Sequence, residues 1–138
     1  MRTHSALLDV PIVPATVRTA VEDPRAGAIV TFEGVVRNHD AGRDVVGIHY
    51  EGHPSAEQAL RDVVEEFRER EGVHGIAVEH RVGDLVVGDL ALSLAVAASH
   101  RSQAYACASD LVDRIKETLP VWKLQRFADG SEAWSRCP

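Results

Sequence analysis

Apolar and polar positions along the chain follow two periods, two and 3.6, and so predict short strands interleaved with helices. Leu7 to Ile12 is a first strand. Pro14 opens a short helix to about Val21 that Pro24 and Gly27 close, since proline lacks the N–H a continuing helix needs. From Ala28 to Val36 the even positions Ala28, Val30, Phe32 and Val36 are apolar, while the odd ones include Thr31 and Glu33. This is a half-buried strand whose polar face ends on Arg37. Asn38 to Arg43 carries turn chemistry, and Val46, Ile48 and Tyr50 alternate in a returning strand. Ser55 with Gln58 three residues on reads as a capping box for a helix whose stripe is Ala56, Leu60, Val63, Val64 and Phe67, ended by Gly72.

Ile76, Val78 and Val82 alternate in the next strand, and Leu90, Leu92, Leu94 and Val96 mark a long one after Gly88. The other face of that strand, Ala91, Ser93, Ala95 and Ala97, is small throughout, as expected where another element packs closely. Ser99 is placed to cap a last helix to about Thr118, with Ala104, Ala108, Leu111, Val112 and Ile115 facing inward and Pro120 preventing its continuation. Val121 to Phe127 and Glu132 to Arg136 flank the turn pair Asp129-Gly130. Alternation there sets Trp122 and Leu124 against Lys123 and Gln125, with the tryptophan face expected in the core and the lysine face at a site. The pattern predicts an α+β fold with a mostly antiparallel sheet and packed helices, and 138 residues suit a single domain spanning residues 1–138.

Composition narrows the function. With 45% hydrophobic and 26% charged residues the chain has the balance of a folded protein, not of a disordered tail. A formal net charge of -6 argues against broad nucleic-acid binding, which needs a basic face to displace counterions. No apolar run approaches the length that crosses a bilayer, and Met1 to Val10 lacks a basic start followed by an apolar stretch, so no membrane association and a cytoplasmic location are expected. Cys107, within a helical pattern, and Cys137, beside the C-terminus, are too few for a disulfide framework. They read as a buried small side chain and a tail thiol.

Three basic clusters stand at element ends: Arg37 with Asn38 and His39, Ser99-His100-Arg101 at a helix start, and Lys116 with Lys123. The last two are the only lysines among 15 basic residues. A helix N-terminus offers free N–H groups and a positive dipole end, so Ser99-His100-Arg101 suits a phosphate. Lys116 follows Ile115 in the last helical turn, at the border of the apolar face. Partial burial there would lower its pKa and fit it for acid, base or nucleophilic work, which arginine cannot do. Each cluster also has a plain structural reading: solvated cations, or a lysine complementing a helix C-terminus. His39, His49 and His53 lack the cysteine pair or spaced carboxylates of a metal centre, so no metal is expected. No phosphate-binding or dinucleotide-binding glycine motif and no nucleophile elbow is present in the sequence.

Taken in order, Gly27-Ala28-Ile29-Val30-Thr31-Phe32-Glu33-Gly34-Val35-Val36-Arg37-Asn38-His39-Asp40, His80-Arg81-Val82-Gly83, Ser99-His100-Arg101, Asp113-Arg114-Ile115-Lys116 and Pro120-Val121-Trp122-Lys123 resemble the molybdopterin synthase large (catalytic) subunit family, MoaE, from about Leu8 to Trp134. The resemblance implies an α/β hammerhead-like fold and a sulfurtransferase of molybdenum cofactor biosynthesis that needs no cofactor of its own. Such an enzyme converts cyclic pyranopterin monophosphate (precursor Z) to molybdopterin. It installs two sulfurs as a dithiolene and opens the cyclic phosphate, with sulfur from the C-terminal Gly-Gly thiocarboxylate of a small ubiquitin-like subunit. It further implies Lys116 and Lys123 as the catalytic pair and Arg37, His100 and Arg101, with Asn38, His39 and Gln125, as substrate-binding residues. The implied assembly is a heterotetramer, a homodimer of large subunits with a small subunit at each end.

Two residues depart from the family pattern: Gln125 stands where many members have an acid, and His53 replaces a frequent tyrosine. The alternative reading is a non-catalytic dimeric module on the same fold that binds anions or a ubiquitin-like tail. Helix geometry adds one expectation. Arg101 and Lys116, fifteen residues apart, are separated by about 22 Å along one helix axis, so His100 and Arg101 should reach a shared site from the opposite chain of a homodimer.

Overall fold

The computed structural model describes residues 1–136. In chain order its elements are β1 (Arg2–Leu8), α1 (Pro14–Thr19), β2 (Ala28–Val35), β3 (His39–Asp40), β4 (Arg43–Gly52), α2 (Ala56–Glu66), β5 (Val73–Arg81), β6 (Gly83–Val86), β7 (Leu90–Ala98), α3 (Arg101–Thr118), β8 (Val121–Phe127) and β9 (Glu132–Arg136). One sheet has the order β1-β5-β7-β2, and a second has β3-β4-β8-β9 with β6 paired to β4. Pairing is antiparallel except for β1 on β5, so the α+β, mostly antiparallel expectation matches the structure.

The central strands of the first sheet are covered on both faces. Leu94 and Val96 of β7, with Ile76 and Val78 of β5, face α2 and α3 in the main core, where Leu60, Val64, Leu111 and Ile115 meet them. The small face, Ala95 and Ala97 with Ala77, packs on Val17 and Val21 of and just after α1. That is the close approach the small residues predict. Gly75 shows how close: a Cβ there would lie 2.9 Å from Val21. Every described residue of β7 from Ala91 onward is buried, which is why its apolar run lacks a polar face.

The second sheet closes over the same core, with Val45, Ile48, Leu85, Val121 and Phe127 joining the main cluster. The chain leaves the first sheet after β5, crosses at Val82 into β6, and returns through a turn containing Gly88. Both glycines of this excursion, Gly83 (φ 98°) and Gly88 (φ 94°), occupy the left-handed region that side chains disfavour.

Local expectations differ from the structure in several places: Val46 is exposed and Val45 buried instead, beside a bulge in β4, β6 is a strand that the pattern does not mark, and four further differences follow. The first strand runs from Arg2 to Leu8 rather than from Leu7 to Ile12. Its pairing with β5 and the His4–Glu79 contact at 2.8 Å hold a polar stretch extended, while Ile12 is buried against α1. The Ser55–Gln58 capping box does not form. Ser55 has helical dihedrals (φ -84°, ψ -2°), its hydroxyl and backbone N–H both go to His53 Nδ1, and Gln58 bonds Arg61 and Asp62. At α3 the cap is His100, not Ser99. The His100 N–H donates to Gln103 Oε1 at 3.1 Å, and Ser99 Oγ lies 2.6 Å from His74 Nε2. Finally, the core face of β8 is the reverse of that expected: Val121, Gln125 and Phe127 are buried, while Trp122 is 49% exposed. The inner face of the second sheet is shared between core and cleft, which leaves Trp122 and Trp134 outside.

Candidate active site

A cleft of about 460 Å³ opens where the end of β2, the β3–β4 hairpin, the edge of β8 and the last turn of α3 converge. Its floor is apolar, built from Phe32, Val36, Ile48, Leu92, Ile115 and Leu119. Polar groups stand around that floor, an arrangement typical of a small-molecule site. The Ala41-Gly42 turn, with φ of 49° and 77°, reverses the chain in two residues, so that β3 pairs back on the start of β4 and presents His39 and Asp40 to the cleft.

Both lysines line this cleft from different elements, Lys116 from α3 and Lys123 from β8. Lys123 is half-buried and lies opposite Tyr50 of β4 in the strand register. Lys116 is exposed in the single chain, rather than partly buried as its place beside Ile115 suggests. Arg37, in the loop after β2, also lines the cleft and donates from Nη2 to Asp40 Oδ1 at 3.3 Å. His39 lines it as well, and its Nδ1 donates to Asn38 Oδ1 at 2.9 Å. Asn38 thus acts on the ring orientation rather than on the wall.

Gln125 is only 8% exposed, and its Nε2 donates to Asp40 Oδ2 at 2.9 Å. That hydrogen bond, with the charges of Lys123 and Arg37 nearby, holds the Asp40 carboxyl below the usual carboxylate range. The cleft wall thus carries a carboxylate, Asp40, held by the Gln125 amide.

His80 lies at the base of the cleft, 3% exposed, with its ring edge-on to Tyr50 at 5.4 Å between centroids. Its Nδ1 donates to the Arg81 carbonyl at 2.9 Å, which fixes the tautomer. Burial lowers its pKa to about 4, outweighing the carbonyl's opposite effect, so the ring is neutral at physiological pH. Asp40, Tyr50 and His80 are cleft residues that sequence reasoning does not single out. Asp40 and His80 fall inside recognised motifs, but nothing in their spacing shows that they share a cleft with Lys123.

His100 and Arg101 are exposed at the far end of α3 and do not line this cleft in the single chain. Cys107 is fully buried in α3, and desolvation raises its thiol to about 11. Cys137 lies outside the described residues. Among the described residues no helix is long and apolar enough to cross a membrane, and no group of three or more His, Cys, Asp or Glu side chains is arranged to hold a metal ion.

Residues 7–118 match the model of the MoaE protein family. The chain is 38% identical to the molybdopterin synthase catalytic subunit of Halalkalibacterium halodurans, over 94% of this chain and 83% of that one. It is 36% identical to molybdopterin synthase catalytic subunit 1 of Mycobacterium tuberculosis, over 94% and 88%. Its fold superposes on a chain of the Staphylococcus aureus molybdopterin synthase crystal structure with a TM-score of 0.86 at 31% identity, covering 94% of each. The extent of these matches establishes that the chain belongs to the MoaE family of molybdopterin synthase catalytic subunits.

Proposed function

We propose that this chain transfers two sulfurs to cyclic pyranopterin monophosphate, with Lys116 and Lys123 as its catalytic residues. The observation that carries the reading is the convergence of the chain's only two lysines, from separate elements, on one apolar-floored cleft. Attack by a thiocarboxylate sulfur and opening of a cyclic phosphate both move negative charge. Cationic side chains around a pocket that excludes water stabilise such charge most effectively. Lys116 takes the central acid/base role, and Lys123, beside Asp40 and Gln125, positions substrate and stabilises charge. Arg37 and His39 bind the substrate from the opposite wall, with Asn38 orienting the His39 ring.

The sulfur donor is the C-terminal Gly-Gly thiocarboxylate of a small ubiquitin-like subunit. A two-subunit complex of molybdopterin-converting factor from Helicobacter pylori shares this fold with a TM-score of 0.74, at 17% identity. Large subunits pair as a homodimer, so that His100 and Arg101 of one chain complete the cleft of the other, within a cytoplasmic heterotetramer. Reconstitution is the test. Purified protein, thiocarboxylated small subunit and the cyclic precursor should yield a dithiolene pterin, and a reaction that consumes neither thiocarboxylate nor precursor would refute the proposal.

A further inference from the structure

Arg37 enters the cleft from a main chain that is held on both sides. On one side Val36 donates its N–H to the Asp89 carbonyl at 3.0 Å and accepts from the Gly88 N–H at 2.8 Å. On the other, the Asn38 carbonyl accepts from the Val45 N–H at 2.9 Å. The first two bonds lie just past the point where the β2–β7 ladder shifts register, between Gly34 and Val35, so they come from the turn that leads into β7 rather than from the strand itself. Four residues, Val86 to Asp89, make that turn, and Gly88 supplies its left-handed position with φ 94°.

Asp89 closes the turn twice. Its N–H donates to the Val86 carbonyl at 3.0 Å, and its Oδ2 accepts from the Val86 N–H at 2.9 Å. The same oxygen lies 3.6 Å from Arg81 Nη1, and Asp89 is the one acidic side chain within 4 Å of that guanidinium among the described residues. Arg81 is mostly covered, with 16% of its side chain exposed, and its Nε is buried without a hydrogen-bond partner. Salt screens such a covered ion pair less than it screens the exposed pairs of the surface.

Resting on the reading of Arg37 as a substrate-binding residue, we propose that Asp89 is a positioning residue: braced by Arg81, it locks the Gly88 turn onto Val36 and so fixes the main chain from which Arg37 reaches the substrate. Asp89 does not line the cleft, and its action runs through backbone hydrogen bonds. Truncating it frees the segment around Arg37 on one side. Lys116 and Lys123 stand on other elements, α3 and β8, so the expected defect is in substrate binding rather than in the chemical step.

Amide exchange and kinetics test this together. In Asp89→Ala the Val36 and Gly88 amides, the two donors of the lock, should exchange about tenfold faster relative to core amides such as that of Leu94, the size of losing a hydrogen bond to a charged group. In reconstituted turnover KM for the cyclic precursor should rise several-fold, with kcat within about twofold of wild type. Asp89→Asn, whose amide oxygen can still accept from the Val86 N–H, should recover most of both losses. Unchanged exchange at Val36 and Gly88 in folded Asp89→Ala protein, or a rise shared equally by all amides, would overturn the proposal. So would faster exchange with an unaltered KM when Arg37→Ala itself raises KM, or an Asp89→Asn variant no better than Asp89→Ala. An Arg37→Ala protein with normal KM would instead withdraw the reading of Arg37, and the lock would then be decided by amide exchange alone.

Discussion

Arg101 and Lys116 occupy the first and last turns of one helix, so the residue facing the cleft and the residue proposed to bind its substrate stand at opposite ends of α3. At about 1.5 Å per residue their backbones are roughly 22 Å apart, too far for both side chains to close on one small pterin. If both serve the reaction, each cleft takes Arg101 from the partner chain of a homodimer. Homodimers of Arg101→Ala or Lys116→Ala should then be nearly inactive. Isolated mixed dimers, which collect both defects in one cleft, should recover up to about half of wild-type activity. Mixed dimers no better than either homodimer would rule out a shared cleft.

Lys116 is exposed at a helix end, so its truncation removes little packing. Lys116→Ala should unfold within about 0.5 kcal/mol of wild type while losing nearly all product formation. Lys123→Ala should lose less activity in the same assay, with a larger stability effect because Lys123 is half-buried. A well-folded Lys116→Ala protein with turnover near wild type would contradict its assignment.

Cys107 is fully buried and its thiol is raised to about 11, so very little of it is the thiolate that a sulfur carrier needs. The Cys107→Ala, Cys137→Ser double variant should keep most of its activity when supplied with preformed thiocarboxylate. Loss of product despite normal binding of partner and substrate would point to a persulfide on this chain.

His80 should make stability depend on pH. Its folded pKa is lowered from 6.5 to about 4 by burial, so between these values the unfolded chain binds the proton that the folded chain refuses. This contribution is fully present above about pH 6.5 and is lost as pH falls towards 4, a span worth about 3 kcal/mol. Urea titrations of wild type and His80→Gln at pH 7 and pH 4.5 measure it. The variant should show the smaller drop, and equal drops would place the effect in other groups.

The first and second sheets illustrate how far one-dimensional pattern carries. Period-two alternation correctly put Lys123 and Gln125 on one face of β8 and Trp122 on the other, because strand geometry alone sets that relation. It could not say which face is covered. Hydrophobicity favoured burying Trp122, yet the second sheet turns its lysine face towards the core and cleft and leaves Trp122 and Trp134 exposed.

The helices were legible for a similar reason. The stripe of α2 and the inward positions of α3 follow from the 3.6 period, and the alanine face of β7 announced a close neighbour without naming α1. Caps were misread at Ser55 and Ser99, since a hydroxyl can cap only if the backbone dihedrals at that residue aim it at the helix, and in both cases a histidine lies within hydrogen-bond distance of it.

By itself the sequence determined the types of the longer elements, which residues of a strand share a face, and a family pattern that marked both lysines, all of which depend on local spacing. Only the tertiary structure decided that Lys116, Lys123, Arg37 and Asp40 share one cleft, that Gln125 spends its amide on Asp40, and that Arg101 stands away from them. These are contacts across tens of residues, such as the 85 between Asp40 and Gln125, and they are set by how two sheets close over a common core rather than by any period along the chain.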